Sequence, residues 1–149
     1  MNTAKHLKDL NLQLLRKKSF LSWIKEFAPA VILASLLGTY LDLLFVGKNL
    51  YTFPHRPFPE VFSVNIAFTL MGLPIMIFFY LYVMKQLNIW GKIGVTLFIS
   101  LTMPVFERFS ELLGFFKHSD DWEHIYTFFG YFVFLTIIYQ FYHWTNNRK

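Results

Sequence analysis

The sequence predicts an all-α integral membrane protein, a four-helix bundle preceded by an N-terminal amphipathic helix at the interface. Hydrophobic residues make up 55% of the 149 and charged residues only 15%, a composition suited to lipid. Four apolar stretches, at about 27–47, 61–84, 90–113 and 125–144, are each long enough to cross a bilayer. The basic residues crowd into alternate connections, as orientation in a membrane requires. The chain divides into residues 1–26, the interfacial helix, and 27–149, the transmembrane domain.

In the first 26 residues, Leu7, Leu10, Leu14, Leu21 and Ile24 recur at helical spacings among Lys and Arg. A basic amphipathic helix of this kind buries its apolar face at the headgroups and attracts anionic lipids. Docking on a partner protein is the competing reading. The first apolar stretch follows a 26-residue polar lead and continues into Lys48-Asn49-Leu50-Tyr51. No small-residue cleavage site stands there, so the stretch is expected to be a retained helix. Ala30, Ala34 and Gly38 place a small residue at every fourth position, which lets another backbone approach closely. The seam lies within the monomer or between two copies.

The connection 48–60 contains Phe53-Pro54-His55-Arg56-Pro57-Phe58-Pro59. Each proline fixes φ and biases the residue before it to extended geometry, so a stiff, non-helical strap is expected. The stretch 61–84 is the clearest span, 24 residues without a charge. The third is the weakest. From Ile93 to Phe106 only fourteen uncharged residues run before Glu107 and Arg108. At about 1.5 Å per residue that is about 21 Å, against a hydrocarbon core roughly 30 Å thick. A re-entrant third segment is the alternative. The fourth is half aromatic, which suits packing and lipid-facing bulk; a quinone or lipid groove is the other reading.

Orientation follows from the loops. The N-terminal segment, the connection around Lys85 and Lys92, and the tail Arg148-Lys149 hold ten of the fourteen basic residues. The last connection is acidic, with Asp120, Asp121 and Glu123. A multi-pass cell-membrane protein with both termini cytoplasmic is expected. The net charge of +5 is thereby explained without nucleic acid as a partner. The lipid bilayer, anionic lipids at the cytoplasmic face, and a membrane-protein partner or second copy are the expected contacts. No cysteine is present, which removes disulfides, thiolate nucleophiles, Cys-based zinc sites and iron–sulfur clusters.

Asp42 interrupts the first span after fifteen uncharged residues, and Glu107 interrupts the third. Ionisable groups at such depth face a protein interior or a watery cavity and mark a functional site by default. In the expected topology both approach the outer face. Asn65 joins them from the second span, and His55, Arg56 and Glu60 from the strap. Arg108 and Glu111 complete the set. Glu107 and Glu111, four apart, repel if the helix continues between them. Asp42 with Arg108 is the expected structural pair. His118, Asp120, Asp121, Glu123 and His124 have a composition that suggests metal, yet their spacing matches no firm motif, so a solvated acidic loop is expected and no cofactor. Walker loops, HExxH, dinucleotide fingerprints and nucleophile elbows are absent from the sequence.

Gly38-Thr39-Tyr40-Leu41-Asp42, the strap from Tyr51 to Pro59, and Glu107 followed by Trp122 and Trp144 resemble an uncharacterised family of small four-span membrane proteins of spore-forming, Gram-positive bacteria. The resemblance covers roughly residues 27 to 144 and implies the plasma membrane, with no established activity. The function expected is that of a non-enzymatic envelope accessory or binding protein with an outer-facing polar cavity. The alternative is a membrane enzyme or small carrier using Asp42 and Glu107 as proton or cation sites. The topology has a direct test, since single cysteines can be introduced at His55, Asn88 and Ser119. An impermeant thiol reagent on intact cells should label positions 55 and 119 and spare 88, and the opposite pattern reverses the orientation.

Overall fold

The computed structural model describes residues 20–147, and they are mostly helical. Helix α1 (Phe20–Gly47) is followed by a two-residue strand β1 (Tyr51–Thr52) and a π-helical turn (Phe68–Gly72) that runs into α2 (Leu73–Met84). Next come α3 (Ile89–Leu112), strand β2 (Lys117–His118) and α4 (His124–Asn147). Residues 20–26 continue unbroken into the first apolar stretch, so the helix has no break at residue 26. Residues 1–19, which hold most of the expected interfacial helix, lie outside the described residues.

Three helices are long and apolar enough to cross a membrane, Ser22–Gly47, Ile89–Leu112 and His124–Asn147. The third stretch is therefore one unbroken helix. The stretch that looked clearest in sequence is the short one. Its regular apolar helix covers Phe68–Met84, about 25 Å at 1.5 Å per residue. The strap explains the loss. Arg56 turns inward on its own loop and donates to the carbonyls of Phe53 at 2.6 Å, Phe62 at 2.5 Å and Pro59 at 3.1 Å. Phe58 carries a positive φ of 51°, and its carbonyl accepts from the amides of Val61 and Phe62. The chain is thus held non-helical through Phe62, and the Asn65 side chain then accepts from the Phe68 amide at 3.3 Å.

Local chemistry also sets the helix ends. Beyond α1, Asn49 takes a left-handed φ of 58°. Its amide donates to Val46 O, and the Leu50 amide to Phe45 O. This paired closure is repeated after α3. There Gly114, at φ 76°, donates to Glu111 O and Phe115 to Ser110 O. Both are Schellman-type stops. At the start of α3 the Asn88 side chain accepts from the Gly91 amide at 2.9 Å, an N-cap. The two stops aim the following loops at each other, and β1 pairs antiparallel with β2, Tyr51 opposite His118 and Thr52 opposite Lys117. This ladder was not expected from an all-α pattern. Its segments are too short to carry a period-two signal.

The ladder fixes one end of the molecule. At the other end Glu26 of α1 accepts from Lys85, just past α2, and from the Tyr142 hydroxyl of α4 at 2.8 Å. Between them, Tyr80 of α2 meets Thr96 Oγ1 of α3 at 3.0 Å and Leu135 O of α4 at 3.4 Å. The core joins Phe27, Ala30 and Ala34 of α1 to Leu73, Ile77 and Leu81 of α2 and to Leu135 and Ile138 of α4. The small-residue stripe therefore packs within the chain, with Gly38 against α2. A Cβ on Gly38 would meet Leu73 Cδ2 at 2.4 Å. Large apolar side chains such as Leu36, Phe79, Phe98, Val105 and Phe129 point outward, a surface suited to lipid rather than water.

Ala34 is fully buried and Leu36 is 66% exposed. Ala34→Leu should therefore destabilise the detergent-solubilised protein by about 1–3 kcal/mol through overpacking. Leu36→Ala should stay within about 0.5 kcal/mol, as surface changes do. Thermal unfolding of both variants checks this, and equal losses would place the stripe elsewhere.

Candidate functional site

Tyr51 is the hinge between the ladder and the first helix. It is 6% exposed, and its hydroxyl donates to Asp42 Oδ1 at 2.6 Å. Burial first, then the negative charge of Asp42, raises the Tyr51 phenol above its ordinary range, so it keeps its proton and remains a donor. Phe45, Phe53, Phe116 and Trp122 surround its ring, with centroids 5.0 to 5.9 Å away. Edge-on and tilted contacts of this kind add to burial energy and fix ring orientation. Asp42 is thus satisfied on one oxygen. Among the described residues no donor reaches Oδ2.

Glu107 is bound far more completely. Its side chain is 9% exposed. Oε1 accepts from Trp122 Nε1 at 3.0 Å and meets His124 Nδ1 at 2.8 Å, while Oε2 accepts from the Thr127 hydroxyl. All three partners lie in or just before the first turn of α4. A carboxylate so held is a structural joint between α3 and α4, since removing it would strand the buried Thr127 hydroxyl and two half-buried ring N–H groups.

Asp42 and Glu107 line a cavity of about 820 Å³ between α1, the π-helical turn, α3 and α4. Most of its wall is apolar, including Leu37, Leu41, Phe106, Val133 and Ile137. Asn65, Ser110 and Tyr131 add polar atoms, and among the described residues no Lys, Arg or His lines it. The volume lies within the range of small-molecule sites. The π-helical turn contributes Phe68 and Thr69; such insertions recur at functional sites.

The eight residues expected to form one site separate into three groups. Asp42, Asn65 and Glu107 share the cavity, with Asn65 also capping the second helical segment. His55, Arg56 and Glu60 belong to the strap. His55 Nδ1 bonds Gly114 O at 2.8 Å, Arg56 binds backbone carbonyls, and Glu60 is exposed. Arg108 and Glu111 lie outside the cavity lining. The expected Asp42–Arg108 pair does not form, because Arg108 is 65% exposed and approaches Glu111 Oε2 at 3.5 Å. The helical turn puts Arg108 on the face opposite the cavity, so the aromatic Tyr51 takes the place assigned to a cation.

Glu111 faces a different neighbour than expected. Its Oε1 meets His118 Nδ1, and its Oε2 lies 3.7 Å from His124 Nε2. The ligand atoms of Glu111, His118 and His124 lie within 4.8 Å of one another, a spacing that can hold a metal ion. Two histidines of the run expected to be merely solvated thus turn toward α3. Asp120, Asp121 and Glu123 remain exposed. Tyr51, Trp122, Thr127 and His124 were missed as site residues. The signals on offer were the place of Tyr51 at the head of the strap, the metal-like composition around His124, and the isolated polar position of Thr127 in an aromatic run.

Comparison with family models, with curated proteins and with solved structures finds no match, so geometry alone carries the functional reading. Glu107→Gln should destabilise the solubilised protein by about 1–3 kcal/mol, the cost of unsatisfied buried donors, and clearly more than Asp42→Asn. Thermal unfolding of the two variants side by side gives the ranking. The reverse order would remove Glu107 from its role as the joint.

Proposed function

We propose that this is a small multi-pass membrane protein whose cavity binds an amphiphile with a cationic or hydrogen-bond-donating head. It acts as a non-enzymatic envelope accessory or binding protein. In this reading the short α2 packs among three crossing helices in a four-helix membrane bundle, and both termini are cytoplasmic. The ten-to-four basic asymmetry supports that orientation, which turns the ladder and the polar end of the cavity outward. The sequence resemblance to small four-span proteins agrees with it. The basic N-terminal segment contacts anionic lipid at the inner face.

The observation that carries the ligand class is Asp42 Oδ2, an acceptor that among the described residues meets no protein donor and stands in a largely apolar cavity that none of their Lys, Arg or His side chains lines. A carboxylate in low dielectric favours a positive or donating partner. The apolar walls suit an alkyl chain.

The test uses the delipidated, detergent-solubilised protein and a long-chain primary amine, with the alcohol and fatty acid of equal length as comparisons. Trp122 lines the cavity and reports occupancy by fluorescence. The amine should bind tightest and the acid weakest. Asp42→Asn should weaken amine binding about tenfold or more, the equivalent of a charge-assisted hydrogen bond, with much less effect on the alcohol. Equal binding of amine and acid, or amine selectivity that survives Asp42→Asn, would overturn the proposal.

A further inference from the structure

We infer that Glu111, His118 and His124 form a binding site for a divalent transition-metal ion, zinc foremost, at the ladder end of the molecule. The inference does not depend on the cavity's ligand. Three separate elements supply the ligands: the last turn of α3, strand β2 and the first residue of α4. Each position is pinned independently. Glu111 precedes the Gly114 stop, His118 pairs with Tyr51 across the ladder, and His124 is held by Glu107.

The arrangement of His124 is the decisive observation. Its Nδ1 lies 2.8 Å from Glu107 Oε1, while Nε2 faces Glu111 Oε2 at 3.7 Å. A carboxylate that accepts from one ring nitrogen fixes the tautomer and leaves the other nitrogen's lone pair for a metal. Glu107 is itself fixed by Trp122 and Thr127, so the imidazole has a rigid support. The rings of His118 and His124 lie 5.2 Å apart, with Nδ1 of His118 on Glu111 Oε1. The three ligand atoms lie within 4.8 Å. Bonds of about 2.0 Å to a tetrahedral zinc put ligand atoms about 3.3 Å apart, so side-chain shifts of about an ångström close the site.

Two imidazoles and one carboxylate favour zinc and its transition-metal neighbours over magnesium or calcium. Three protein ligands leave a coordination position open. Arg108 competes for Glu111 at 3.5 Å, but its exposed side chain can swing into solvent. The metal would join α3, β2 and α4 directly and couple, through Glu107, to the cavity wall.

The full-length protein, purified in detergent and stripped with chelator, is titrated with Zn²⁺ at neutral pH by calorimetry. One zinc per chain is expected. Glu111→Gln and His118→Ala should each weaken it at least tenfold, and Glu107→Gln by about 10- to 100-fold, as second-layer partners do. His143→Gln should leave affinity unchanged. Histidine modification by diethyl pyrocarbonate, read by mass spectrometry on the unmutated protein, avoids dependence on variant folding. Zinc should protect His118 and His124 but not His143. Absence of stoichiometric zinc, binding that survives both ligand substitutions, or no selective protection would reduce the cluster to a hydrogen-bonded ion pair and overturn the inference.

Discussion

A carboxylate embedded between apolar helices must find its hydrogen-bond donors inside the protein, and Glu107 shows how much structure that requirement commands. Water cannot solvate it there, and an unpartnered ion would be strongly destabilising. Trp122, His124 and Thr127 supply the donors, so the entry of α4 is fixed against the end of α3. The α3–α4 contact is accordingly the most extensive between any two described elements. That placement carries β2 to β1 and brings Tyr51 onto Asp42. The cavity is the space enclosed once these contacts are made.

The small polar groups along α3 solve the same problem differently. Thr96 and Ser100 bond back to carbonyls four residues earlier, at 2.9 and 2.8 Å, which satisfies each hydroxyl within α3. The same Thr96 then meets Tyr80. Small side chains that satisfy themselves let helices approach, while the larger acids recruit partners from a neighbouring element. Both solutions leave the polar atoms buried among apolar helices with hydrogen-bond partners.

The sequence made the apolar stretches legible because their signal is local, a run of side chains compatible with lipid. It also marked Asp42 and Glu107, since a charge within such a run stands out. Partner choice was not legible. Arg108 is adjacent to Glu107 in sequence but points away from the cavity, and only the rotation of α3 about its axis decides that. Arg56 was expected at the polar site, yet the proline-rich strap leaves backbone carbonyls without helical partners, and the guanidinium satisfies three of them. The shortening of the second stretch has the same origin. Hydropathy records what a segment tolerates, whereas its helical extent was set by Arg56 and the turn at Phe58. The meeting of Glu111 with His118 and His124 arises from the stop at Gly114, whose effect on direction no spacing rule contains.

The two-residue ladder has a mechanical consequence. It fastens the α1–α2 hairpin to the α3–α4 hairpin at one end, and the Tyr142 hydroxyl on Glu26 fastens them at the other. Axial sliding of one hairpin past the other would break both clasps at once. Sideways parting of the helices breaks mainly non-directional apolar contacts. The low-resistance doorway to the cavity is therefore in the flank, the side from which an amphiphile of the kind proposed would enter.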